Sequence, residues 1–271
     1  MKIVNALPLA SVVLASFVAF GCSSKSATSP STGSQEGDDS AEANASSAQA
    51  SRIDQMILGP VSSADPTVAA NNVAAATEWW PAGCATRKKD ATNPAVVHVT
   101  LNDCSGPFGL LHWKGDITIT FSKSASGALH AEAASSDMTV NDKPVTYSRS
   151  ADITIAGDLR NVVGNGAWTR VNAKGETVSH THSFTLAIDV KTGCRTANGS
   201  GTARVGVREI DATVTDYKVC RTATGDSCPT GTVVYTHKAS GKTLTVKFDG
   251  SDRATLVGDK GGSIEVPLIC G

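Results

Sequence analysis

From residue 96 onward, apolar and polar residues alternate along the chain. Val97, Val99 and Leu101 are separated by His98 and Thr100, and Ile117, Ile119 and Phe121 by Thr118 and Thr120. Val178, His180, His182, Phe184, Leu186 and Ile188 hold every second position of a longer run. A period of two sends successive side chains to opposite faces of a strand, so each run predicts a strand with one covered and one wet face. Further runs end in Phe248, Val257 and Leu268. The turns between them are short, as at Asn141-Asp142-Lys143-Pro144, Ala173-Lys174-Gly175 and Gly258-Asp259-Lys260-Gly261. Such connections make antiparallel hairpins and leave no room for crossover helices.

The predicted fold class is therefore all-β, a large antiparallel meander of about ten to twelve strands. A sheet that wide tends to curl. The expected architecture is a curled sheet or half-barrel with a short N-terminal helix against its concave face, with a two-sheet sandwich as the alternative. An outer-membrane barrel would need aromatic girdles, and only 5% of residues are aromatic. The pattern before the sheet is helical. Residues 51–58 form one brief candidate. Asp65-Pro66 supplies an N-cap and a first-turn proline for a second over Thr67–Glu78. Trp79-Trp80-Pro81 ends that helix, and the Trp pair reads as an apolar plug between helix and sheet or as a ligand-stacking platform.

The N-terminus has a different pattern. Lys2 precedes an apolar run from Ala6 to Phe20, too short for a comfortable membrane span and of the length of a signal-peptide core. The run ends in Ala19-Phe20-Gly21-Cys22, followed by Ser23-Ser24. This resembles the lipobox of bacterial outer-membrane-type lipoproteins. The resemblance implies a signal peptide over 1–21, cleavage before Cys22, and lipidation (diacylglyceryl, palmitate) at the Cys22 thiol. Ser23 rather than an acidic residue after that cysteine resembles outer-membrane sorting. The implied partner is the membrane, and the implied location is the cell envelope, lipid-anchored at the outer membrane. Residues 22–50 then contain no Leu, Ile, Val or aromatic residue. Such a segment buries too little apolar surface to offset ordering and reads as a disordered Ser/Ala-rich tether. The β domain is expected over 51–271, with 51–83 as its helical lead-in.

Setting Cys22 aside leaves Cys84, Cys104, Cys194, Cys220, Cys228 and Cys270, an even set that suits three disulfides in an exported domain. Cys84 and Cys104 flank one strand and close a short loop. Residues 195–206 and 207–219 read as a hairpin centred near Gly206, which puts Cys194 opposite Cys220 and leaves Cys228 for Cys270. The rival set joins Cys220 to Cys228 and Cys194 to Cys270. The C-terminal stretch, Cys228-Pro229-Thr230-Gly231-Thr232 with a later Phe248-Asp249-Gly250, resembles a module of an uncharacterised exported β-protein family, which implies no activity.

Composition narrows the function. The chain has 271 residues and a formal net charge of -1, without the basic excess that nucleic-acid binding needs. There is no G-x-S-x-G elbow and no phosphate-binding P-loop. The sharpest candidate chemistry is His180-Thr181-His182, two imidazoles on one strand face that would suit a metal if His98, His112, His130 or His237 supplied a third ligand. The same face carries Val178, Phe184 and Leu186, so the expectation is no metal and no cofactor. The sequence thus predicts a non-enzymatic binding or structural protein of the envelope. Two alternatives stand beside it: a carrier of a lipid or other apolar ligand in the curled sheet, and a metal-dependent enzyme using His180 and His182. An apolar concavity in the folded protein favours the carrier.

Overall fold

Alternation and short turns determine the architecture. The computed structural model describes residues 39–40, 42, 53–54, 57–76, 82–105, 112–221, 227–268 and 270. In chain order the strands are β1 (Ala85–Lys89), β2 (Val96–Ser105), β3 (His112–Lys123), β4 (Leu129–Val140), β5 (Lys143–Ala156), β6 (Leu159–Val171) and β7 (Thr177–Asp189). They continue as β8 (Cys194–Val205), β9 (Arg208–Cys220), β10 (Thr230–His237), β11 (Thr243–Asp249), β12 (Arg253–Gly258) and β13 (Ser263–Pro267). All 13 belong to one antiparallel sheet whose spatial order is the sequence order, and the sheet does not close. The expected meander is what forms. The sandwich alternative is not, because every strand hydrogen-bonds its sequence neighbours within a single sheet.

Turn chemistry sets the registers. Val140 pairs with Lys143, so Asn141 and Asp142 make a two-residue turn with φ of +50° and +60°. Asn and Asp tolerate that left-handed region, which the twist of a hairpin favours. Register shifts interrupt five of the ladders, at three places along the chain. An aspartate with positive φ sits at or opposite each: Asp103, Asp137 and Asp216. Bulges of this kind bend a sheet and increase its twist.

The covered face carries two hydrophobic clusters. The first joins β2–β6 to Ile53, Ile57, Leu58, Val61 and the helix Pro66–Ala75, and contains the fully buried Trp113 and Trp168. The second lies on β7–β12, around Ile210, Tyr217, Val246 and Phe248. The helix begins as the sequence predicts: Asp65 Oδ1 accepts a hydrogen bond from the Val68 amide at 2.9 Å, and Pro66 occupies the first turn. It ends at Ala75 rather than Glu78. Its buried Ala69, Ala70 and Val73 face β1–β3.

The three cysteine pairs are Cys84–Cys104, Cys194–Cys220 and Cys228–Cys270. Cys194 and Cys220 are direct register partners across the β8–β9 hairpin. Of the two sets the sequence allows, this is the one that hairpin pairing favours.

Part of the expected tether is docked. Asp39, Ser40 and Glu42 are helical. Buried Asp39 accepts two hydrogen bonds from Arg208, at 2.7 and 2.9 Å. Ser40 Oγ meets His237 Nε2 at 3.0 Å, and Glu42 pairs with Arg170. These polar contacts anchor a segment that lacks the apolar residues by which a docking site is usually read. Residues 1–21, expected from the sequence to be a signal peptide, lie outside the described residues, as do Cys22, Trp79 and Trp80.

Candidate functional site

The longest ladders run from β5 through β9, without a register shift from β5 to β8, and their registers place side chains in transverse rows on the covered face. One row reads Tyr147, Trp168, His180, Ala203, Ile210. The next reads Arg149, Gly166, His182, Gly201, Ala212, and the one after it Ala151, Gly164, Phe184, Gly199, Val214. His182 and Phe184 of β7 therefore each lie between two glycines at the same level, and His180 lies between Trp168 and Ala203.

The glycines are required by close approach. A Cβ on Gly166 would stand 2.9 Å from His182 Cε1 and 3.1 Å from Arg149 Nη1. A Cβ on Gly201 would meet His180 Nε2 and His182 Cβ, both at 3.0 Å. With no side chain on Gly166, Arg149 crosses β6 and reaches β7. Its Nη1 donates to His182 Nε2 at 2.6 Å, and its Cζ lies 3.7 Å from the centre of the Phe184 ring. Its Nη2 pairs with Asp54 Oδ2 at 3.0 Å, and the Tyr147 hydroxyl donates to Asp54 Oδ1 at 2.7 Å. His180 stacks on His182 with ring centres 4.9 Å apart.

Electrostatics keep both imidazoles neutral. Burial lowers the His180 pKa to about 3, helped by His182 and opposed by Asp54. Burial, with the Arg149 charge added, lowers that of His182 to about 4. Asp54 is raised by burial against the opposing pull of Arg149. A guanidinium only donates, so His182 Nε2 accepts and its proton resides on Nδ1. The Nδ1 atoms of both histidines are buried without a hydrogen-bond partner.

This arrangement does not form a metal centre. Arg149 takes the Nε2 lone pair of His182 that a metal would need. The other histidines are elsewhere: His98 with Asp90, His112 with Asp103, His130 with Asp152, and His237 with Ser40. Among the described residues no group of three His, Cys, Asp or Glu side chains is placed to hold an ion.

Next to the histidines lies a cavity of about 160 Å³. Its floor is made of the small residues Ala197, Gly199, Gly201 and Ala203 of β8 with Ala212 and Val214 of β9. Phe184 and Leu186 of β7 and Tyr235 of β10 rise around it, and Leu58 and Gly59 border it from the N-terminal segment. It lies where the first hydrophobic cluster gives way to the second.

No protein family, curated protein or solved structure matches the chain. The site is therefore read from its own geometry.

Sequence periodicity put His180 and His182 on the covered face. It missed Asp54, Arg149, Tyr147 and the glycine pairs. Two signals were present. Arg149 is in phase with Val145, Tyr147, Ala151 and Ile153, a charge inside an apolar stripe. Gly164/Gly166 and Gly199/Gly201 are i, i+2 pairs in the strands on either side of the histidine strand.

Proposed function

We propose that this protein is a non-enzymatic lipoprotein of the cell envelope, anchored through Cys22, that carries a small apolar ligand in the cavity above β8. The observation that supports the carrier reading over a purely structural one is the cavity itself: an apolar concavity floored by glycine and alanine in the middle of an otherwise packed inner face. Interiors are normally filled to close-packed density, and four consecutive inward positions of one strand, Ala197, Gly199, Gly201 and Ala203, here carry a methyl group or nothing, a costly way to build a sheet.

Volume sets the ligand size. An apolar cavity of about 150 Å³ holds one benzene, so a ligand enclosed here is a single ring or a short chain, and not a whole diacyl lipid. The neutral histidines, one capped by Arg149, suit a wall that orients a ligand rather than a nucleophile or a metal.

Titrating the purified full chain with benzyl alcohol by calorimetry tests the reading. Binding is expected in the wild type and lost in Ala197→Leu, which fills the floor. No binding to the wild type, or equal binding to both, overturns it. The anchor is tested by Cys22→Ser, which is expected to leave the membrane fraction and to take up no radioactive palmitate.

A further inference from the structure

One end of the cavity carries charge. A further transverse row beyond Phe184 and Leu186 reads Ile155, Arg160, Ile188, Arg195, Val219. Cross-strand partners share a face, so Arg160 and Arg195 stand on either side of Ile188, two strand spacings or ~10 Å apart at the backbone. Both line the cavity. The described residues of the lining include three guanidinium groups, Arg149, Arg160 and Arg195, and one carboxylate, Asp54.

The guanidiniums are not equivalent. Arg149 is engaged by Asp54, His182 and the Phe184 ring. Arg160 is half-buried and makes one hydrogen bond, from Nη1 to the Gly59 carbonyl at 3.3 Å. That acceptor is neutral, and among the described residues no carboxylate pairs with Arg160. Burial lowers its pKa. A guanidinium has five N–H donors in a planar fork that fits a carboxylate at two points. A partly desolvated cation at the end of an apolar cavity, with most of its donors unspent, disfavours a cationic ligand and favours an anion.

We propose that the ligand is a small amphiphilic carboxylate, a short-chain or single-ring acid, whose apolar body lies over the Ala197–Ala203 floor and whose carboxylate is held by Arg160. This rests on the carrier reading of the same cavity and adds the charge and orientation of its occupant. Arg160 lies beside the turn that joins β5 to β6 and binds the Gly59 carbonyl, so an acid held there also touches the point where the N-terminal segment meets the sheet. The polar end of the ligand is then at the Arg160 row and the apolar end approaches Phe184, His182 and His180.

The test is a charge series at constant chain length, with hexanoate, hexan-1-ol and hexylamine titrated into the full chain at pH 7 and low salt. Hexanoate is expected to bind at least tenfold tighter than hexan-1-ol, and hexylamine more weakly than either. Arg160→Gln is expected to bring hexanoate to the affinity of the alcohol while changing alcohol binding less than twofold, and Arg160→Lys to restore part of the difference. Equal affinity of acid and alcohol for the wild type overturns the carboxylate assignment and leaves the carrier reading intact, as does an acid preference that survives Arg160→Gln. Failure of all three ligands to bind the wild type overturns the carrier reading, and the assignment with it.

Discussion

The two buried histidines make stability depend on pH in a defined window. Both are neutral in the folded protein, with pKa values of about 3 for His180 and about 4 for His182, against an ordinary value of 6.5. A group whose folded pKa lies below its unfolded one contributes stability that is present above the unfolded value. That stability is lost as pH falls toward the folded value, because the unfolded chain takes up protons that the folded chain refuses. The window runs from pH 6.5 down to about 4 for His182 and about 3 for His180. At about 1.36 kcal/mol per pH unit for each proton fully taken up, with the unfolded imidazole half-protonated at 6.5, lowering the pH from 6.5 to 5 removes about 1.6 kcal/mol for each histidine, or about 3 kcal/mol in all. That is a large share of the ~5–15 kcal/mol that holds a domain folded. Other groups act in the opposite direction. Asp54 is raised by burial, and protonating it favours the folded state as pH falls. His130, raised by its hydrogen bond to Asp152, contributes stability that is present at low pH and lost as pH rises through its folded value. The measurement is therefore a difference: urea unfolding of wild type and His180→Gln/His182→Gln at pH 7, 6 and 5. The wild type is expected to lose about 3–4 kcal/mol more than the variant over that range. Parallel pH profiles would show that these imidazoles do not titrate as a buried neutral pair, and the electrostatic account of the site would be wrong.

Three further outcomes follow from the packing. Asp54→Ala leaves Arg149 buried beside a neutral imidazole without its carboxylate, and should cost about 3–5 kcal/mol in urea unfolding, with a loss under 1 kcal/mol contradicting the ion-pair account. Gly166→Val forces side-chain atoms into the space where Arg149 meets His182, and is expected to cost about 1–3 kcal/mol and to abolish the pH difference described above. Cys228→Ser/Cys270→Ser should lower stability by about 2–4 kcal/mol and leave Cys84, Cys104, Cys194 and Cys220 unreactive to alkylation until reduced, whereas native reactivity at any of those four would refute the pairing.

The fold was legible because its signal is local and repeated. Each hairpin declares itself through a period of two and a turn of Gly, Asn or Asp, and adjacent hairpins can only pair as a meander. The disulfide set is only partly legible: a hairpin turn at Gly206 favours Cys194 opposite Cys220, but the rival pairing stays open until the register of β8 and β9 is known. The site was half legible. His180 and His182 stand out by spacing, but their meaning depends on which residues share their rows, and rows depend on the register of five strands at once. Gly166 and Gly201 look like weak points of their strands until His182 is placed between them. Asp54 is 95 residues from Arg149 in the chain, on a helical turn whose sequence shows only amphipathicity. Asp39 and Ser40 dock through hydrogen bonds and an ion pair, which leave no periodic trace in a stretch of small residues.

A sheet whose spatial order is its sequence order also prescribes a schedule for its own assembly. Every strand completes its first ladder with the strand just before it, so no pairing waits for a distant part of the chain, unlike the non-local contacts that slow most all-β folding. A chain that emerges N-terminus first can add one hairpin arm at a time to a growing edge. Cys84–Cys104 closes after β2, and Cys194–Cys220 closes at the end of β9. Cys228 must wait longest, through β10 to β13, for its partner Cys270. That last bridge spans four strands, so Cys228 stays a thiol until β13 has added to the edge and brought Cys270 within reach.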